Sequence, residues 1–145
     1  MNSVLPKIQN PEQNNITDTH KNLTIYYSHP IRTYNSEQEK HAIELLQKIF
    51  SKYTIVNPKD HSFPNMQRYL ELEAQCSIFA YHGNLNSTIT KGVALQKLFA
   101  FIIEMPIYRI CTEIKKENAH MISFSTELIS DSDYTLVSKL VEGLP

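Results

Sequence analysis

The sequence predicts an α/β protein built as a three-layer sandwich around a five-stranded, mostly parallel sheet. Three observations carry this reading. Short runs of β-branched and aromatic residues recur along the chain, and the first two are stopped by Pro30 and Pro58. Helical patterns of about 10 to 17 residues separate the runs, the alternation expected of right-handed β-α-β crossovers. Ser36 and Glu39 form an S-x-x-E capping box ahead of an apolar stripe, which fixes one helix start.

The elements follow in order. Residues 1–21 are rich in Asn, Gln, Thr and Pro; they bury too little surface to offset ordering entropy, which predicts a disordered or mobile tail ahead of a single domain over 22–145. Leu23–Pro30 reads as a buried first strand, followed by the turn Ile31–Asn35. After Ser36, residues Ala42, Leu45, Leu46, Ile49 and Phe50 share one face of a helix reaching about Lys52. Tyr53–Pro58 is a second strand. A helix beginning near Pro64 follows, through Met66, Tyr69, Leu70 and Glu73.

Cys76–His82 is a third strand, and Pro106–Cys111 a fourth. Between them, the polar turn at Asn84 opens the helix Val93–Ile103, apolar on nearly all sides. The charged stretch Thr112–Ala119 reads as a link and His120–Ser125 as a fifth strand. Asp131 or Ser132 then caps a last amphipathic helix with Tyr134, Val137, Leu140 and Val141 inward. The strand pattern suggests a flavodoxin- or Rossmann-like order, in which ligands bind outside the carboxyl ends of the strands.

Composition narrows the function. Fourteen Lys and Arg against 15 Asp and Glu leave a net charge of -1, so no overall field draws the chain to nucleic acid or an anionic membrane. The longest apolar run, Val93–Met105, is too short and too interrupted to cross a bilayer. Cys76 and Cys111 read as reduced core residues of a cytoplasmic protein. With three glycines and no G-x-G-x-x-G or G-x-x-x-x-G-K-[ST], a dinucleotide or ATP cradle is not expected, and no cofactor is. His29, His61 and His82 follow the first three strands, but no H-x-x-x-H or C-x-x-C spacing supports a metal.

The loops nominate their own candidates. Ser28 and His29 end the first strand, and His29 borders the expected crevice as a possible acid or base. Arg32 and Tyr34 can hold a phosphate or stack on a base. Ser87, Thr88 and Thr90 bring hydroxyls to the start of the long helix, beside its unpaired N–H groups, and Gln96 follows one turn inside.

The S-H-P-I loop at Ser28–Ile31, Asn57 and Pro58 after the second strand, and the helix from Gly92 to Ala100 leading into Pro106-Ile107-Tyr108 together resemble the nucleoside 2-deoxyribosyltransferase-like proteins. The resemblance spans roughly Leu23 to Ile110. It implies a nucleoside-binding crevice and members that often assemble, so a homo-oligomer is expected. In that family a glutamate in the pattern G-[TS]-x-x-E-[IL]-G-x-A attacks the sugar. Here Gly92 and Ala100 match the ends, but Gln96 takes the nucleophile position and Leu98 that of the inner glycine. A carboxamide does not replace a carboxylate as nucleophile. The aspartate that members carry by strand three is also missing, since Ser77 follows Cys76.

The expectation is therefore a divergent member that binds a nucleoside, nucleotide or nucleotide-derived ligand through Ser28, His29, Arg32, Tyr34, Ser87, Thr88, Gly92 and Gln96, without family-type catalysis. One alternative is an active N-glycosidase or deoxyribosyltransferase recruiting Glu71, Glu73 or a water activated by His29. Another is an oligomeric interaction protein that associates through the helix Val93–Ile103.

Overall fold

The computed structural model describes residues 23–85, 88–117 and 120–131. Its elements run β1 (Thr24–Ser28), α1 (Glu37–Ile49), β2 (Thr54–Val56), α2 (Met66–Glu73), β3 (Ile78–Tyr81), α3 (Lys91–Ile102), β4 (Ile107–Glu117) and β5 (His120–Ser130). Single 3-10 turns lie at Ile31–Thr33 and Pro58–Asp60. The strands form one sheet in the order β2-β1-β3-β4-β5. The first four are mutually parallel, and β5 is antiparallel to β4. The tail expected over 1–21 and the helix expected after Asp131 lie outside the described residues.

The end of the sheet differs from expectation. The stretch read as a charged link is strand as far as Glu117, and β5 returns beside it, pairing Glu117 with His120 at one end and Tyr108 with Ser130 at the other. The reason is a period of two. Glu113 and Lys115 are exposed while Thr112 and Ile114 are half-buried, which is how a strand with one wet face reads. An irregularity between Lys115 and Lys116 shifts the register. Only Ile107–Arg109 of β4 also pair with β3, so the rest of the hairpin is a two-stranded ribbon among the described residues.

Alternation along the strands divides the core into two. Tyr26, Phe79, Tyr81 and Ile107 point to one face and pack with Val93, Ala94 and Ala100 of α3 and Leu72 of α2. Ile25, Tyr27, Ile78, Ala80 and Ile110 point to the other and pack with Ala42 and Leu46 of α1. Buried strands of this kind carry near-continuous apolar runs, and β3 is buried at all four residues.

Each helix start is side-chain capped. Ser36 Oγ accepts from Glu39 N at 3.1 Å, but Glu39 does not return the bond to Ser36: its Oε1 accepts from Asn35 N at 2.9 Å. Asn65, not Pro64, begins α2, its Oδ1 accepting from Arg68 N at 3.1 Å. Thr90 caps α3 through Val93 N at 3.4 Å. At the other end of α3 the chain closes in a Schellman motif. Met105 N donates to Ala100 O at 2.9 Å and Glu104 N to Phe101 O at 3.1 Å, with Glu104 left-handed at φ 62°.

Candidate functional site

The strand order reverses between β1 and β3, so the loops after these strands diverge and leave a crevice at the carboxyl edge of the sheet. A cleft of about 740 Å3 lies there. His29, Arg32 and Tyr34 enter it from the turn after β1, Pro58 from the turn after β2, Met66 and Tyr69 from α2, and Thr90, Lys91, Gly92 and Gln96 from the first turns of α3. Its volume is within the range of small-ligand sites. No carboxylate is found among the described residues that line it.

The floor is a hydrogen-bonded pair. Ser28, fully buried at the end of β1, donates through Oγ to Gln96 Oε1 at 2.5 Å, and Gln96 Nε2 lies 3.7 Å from Met66 Sδ. Ser28 therefore fixes the carboxamide from below and does not itself line the cleft. A Cβ added at Gly92 would meet Met66 Cε at 3.6 Å, an ordinary contact, so packing alone does not require this glycine.

The wall is the His29 cluster. His29 Nε2–H donates to Glu39 Oε2 at 2.8 Å, and His29 Nδ1 lies 3.2 Å from the Tyr27 carbonyl. Its ring stacks on Tyr27, with centroids 3.9 Å apart, and tilts against Tyr34. Lys59 Nζ approaches Glu39 Oε1 at 3.2 Å. Burial lowers the His29 pKa, and the bond to Glu39 opposes this without reversing it. The Glu39 carboxyl is lowered: desolvation acts upward, but bonds from His29, Asn35 N and Lys59 outweigh it. Both His29 nitrogens face protein atoms, so the imidazole presents its ring rather than a free nitrogen to the cleft.

His82, after β3, approaches the same cluster at 5.4 Å between ring centroids. Its Nδ1–H donates to Gly83 O at 2.8 Å and its Nε2 accepts from the Tyr27 hydroxyl at 2.5 Å, the pattern of a neutral ring. Gln38 Nε2 donates to the same Gly83 carbonyl at 2.9 Å. Burial lowers the His82 pKa to about 4. His61 stands apart, stacked on Phe63. No group of three or more His, Cys, Asp or Glu able to hold a metal occurs among the described residues.

The nominated residues divide accordingly. His29, Arg32, Tyr34, Gly92 and Gln96 line one cleft. Thr88 does not line it; its carbonyl accepts from Asn84 N at 2.7 Å and closes the loop so tightly on Gly83 that a Cβ there would fall 2.1 Å from Thr88 O. Ser87 lies outside the described residues. Glu71 is on the surface with Arg68 Nη1 at 3.3 Å, and Glu73 is fully buried, so neither borders the cleft. Both cysteines are free, Cys111 within β4 and Cys76 just before β3; burial lifts the Cys76 thiol to about 11.

Sequence reading missed Glu39, taken as a cap, and Lys59, Met66, Tyr69 and Lys91. The signal available for Glu39 was its place ten residues after His29, across one turn of chain. It also missed a buried polar cluster under α3. Lys97, with no exposure, places Nζ 3.3 Å from Asp131 Oδ2 and 5.0 Å from the centre of the Tyr81 ring, and the Tyr81 hydroxyl donates to the same carboxylate.

No protein-family model matches the chain, and neither a curated protein nor a solved structure matches it. Among the described residues no helix is long and apolar enough to cross a membrane.

Proposed function

We infer that the chain binds a nucleoside, nucleotide or nucleotide-derived ligand in the cleft between the β1 turn and the start of α3, and does not perform the displacement expected of a glutamate at position 96. The observation that carries this reading is the lining. Tyr34 and Tyr69 offer ring faces for a base, Arg32 and Lys91 offer cations at the mouth, and Gln96 offers a fixed carboxamide, with no carboxylate beside them. The same reading treats the architecture as a three-layer, flavodoxin- or Rossmann-like sheet and the chain as a divergent nucleoside 2-deoxyribosyltransferase-like protein.

The groups needed for the catalytic alternative are all occupied or remote. Glu71 is paired on the surface, Glu73 is enclosed, and both His29 nitrogens are engaged.

Thermal unfolding in the presence of nucleosides, nucleotides and ADP-ribose at millimolar concentration tests the reading. A ligand at 100 times its Kd stabilises by about 2.7 kcal/mol, a shift of several degrees for a domain of this size. Such a shift, reduced by Gln96→Ala, is expected; no shift with any member of the panel would overturn it. Free base released from a deoxynucleoside would instead establish the catalytic alternative. The expected oligomer is supported by the exposed crest of α3, where Leu95 and Ile102 are 50% and 64% exposed. A monomeric mass in light scattering at micromolar concentration would count against it.

A further inference from the structure

We propose that the corner between the end of β3 and the projecting part of β4 is a second ligand site, which takes a small oxyanion against Arg109 and Thr112. β3 ends at Tyr81, which pairs with Arg109, whereas β4 runs on to Glu117. Beyond Arg109 no strand continues beside β4 on its β3 side among the described residues. A cavity of about 100 Å3 is lined there by the loop after β3, by Gln38 of α1 and by Arg109, Cys111 and Thr112 of β4. None of its described lining residues lines the cleft at the start of α3, so the two sites are separate.

The chemistry of the corner is that of donors short of acceptors. Among the described residues Arg109 forms no ion pair, and its Nε–H and the Thr112 hydroxyl are buried without a hydrogen-bond partner. A guanidinium has five donors, no acceptor and a permanent charge, so a buried Nε–H calls for an oxygen. The Gly83 carbonyl at the same cavity already accepts twice, from Gln38 Nε2 at 2.9 Å and from His82 Nδ1–H at 2.8 Å. No carboxylate is found among the described residues that line the cavity, so nothing in the lining balances the Arg109 charge. Water would satisfy the hydrogen bonds but not the charge; an oxyanion does both, and the planar fork of an arginine suits it. Size sets the class of ion. A water takes about 30 Å3 of liquid and small-molecule pockets begin at about 300 Å3, so this cavity suits a group of about five heavy atoms and is too small for a nucleoside. Inorganic phosphate, sulfate and a short carboxylate share that chemistry.

Calorimetric titration of the full chain with phosphate, sulfate and acetate at constant ionic strength tests this. The expected result is one saturable site per chain for at least one of the three, weakened at least tenfold by Arg109→Gln and less than twofold by Lys91→Gln, which alters the cleft instead. Tighter phosphate or sulfate assigns a tetrahedral ion, and tighter acetate a carboxylate. A second measurement leaves Arg109 in place: in Cys76→Ser protein the bound ion is expected to slow alkylation of Cys111 by iodoacetamide at least fivefold. No saturable binding of any of the three, an affinity untouched by Arg109→Gln, or an unchanged Cys111 rate at saturating ion would overturn the proposal. Loss of binding through Lys91→Gln alone would also overturn it, by placing the ion in the cleft. The nucleoside panel is read separately, so failure here leaves the cleft reading intact.

Discussion

At the scale of single residues, two buried titratable groups depart from ordinary chemistry with opposite signs. Glu73 is fully buried and neither carboxylate oxygen has a partner among the described residues; burial pushes it up to about 9. A raised carboxyl makes the folded state hold its proton longer than the unfolded chain, so stability is full below the ordinary value near 4.5 and declines as pH rises toward 9. Glu73→Gln keeps the shape and removes the titration. It is expected to match the parent near pH 4.5 and to exceed it at pH 7 by up to about 3 kcal/mol, at 1.4 kcal/mol per pKa unit. Urea unfolding across this range is the measurement, and a constant difference with pH would count against a buried, unpaired carboxyl.

His82 works the other way. Its pKa is lowered to about 4, so the stability its neutral ring contributes is complete above about 6.5 and is lost as pH falls toward 4. His29 and Glu39, both lowered, act in the same acid direction. His82→Gln is expected to flatten the acid limb of the stability curve between pH 6.5 and 4 while lowering stability at pH 7, because the acceptor for the Tyr27 hydroxyl is disturbed. An unchanged acid limb would show that the ring is not held neutral.

At the scale of elements, helix ends decide geometry and can be read one by one. Glu104 sits left-handed where α3 closes, a position that suits glycine. Glu104→Gly is expected to stabilise the fold by about 0.5–1 kcal/mol, seen as a higher Tm with ligand shifts unaltered. Ser28 supports α3 from β1 through one bond to Gln96. Ser28→Ala is expected to weaken ligand binding several-fold, since a net hydrogen bond is worth about 1 kcal/mol, with no change in the cleft's other walls. Isothermal titration of the parent and variant compares them.

What could be read ahead of the structure also divides at this scale. Strand and helix existence followed from period and punctuation, and the turn residues His29, Arg32 and Tyr34 were placed at one edge because parallel strands put their carboxyl ends together. The pairing of Ser28 with Gln96 spans 68 positions, and no local pattern encodes a contact of that separation. Glu39 looked complete as a capping residue, because a box motif accounts for the same side chain that the fold turns toward His29. The reversal of β5 was hidden by charge: Lys115 and Lys116 suggested a loop, although their neighbours alternate as a strand does.

At the scale of the whole molecule, the hairpin of β4 and β5 is the part least supported by the sheet. Beyond Arg109 each strand has one partner among the described residues, and a lone two-stranded ribbon is marginal in water. Among the described residues neither outer side of this ribbon has a strand partner, which makes it a template on which another chain could extend the sheet. Two devices against this are in place: the exposed ammonium groups of Lys115 and Lys116, and a break of register between those same residues. Replacing both lysines by Thr, a good strand former without charge, is expected to leave Tm nearly unchanged while light scattering grows faster on incubation at high concentration. The stretch that looked like a charged link is, on this view, a solubility guard: its lysines protect the protein from its own longest strands.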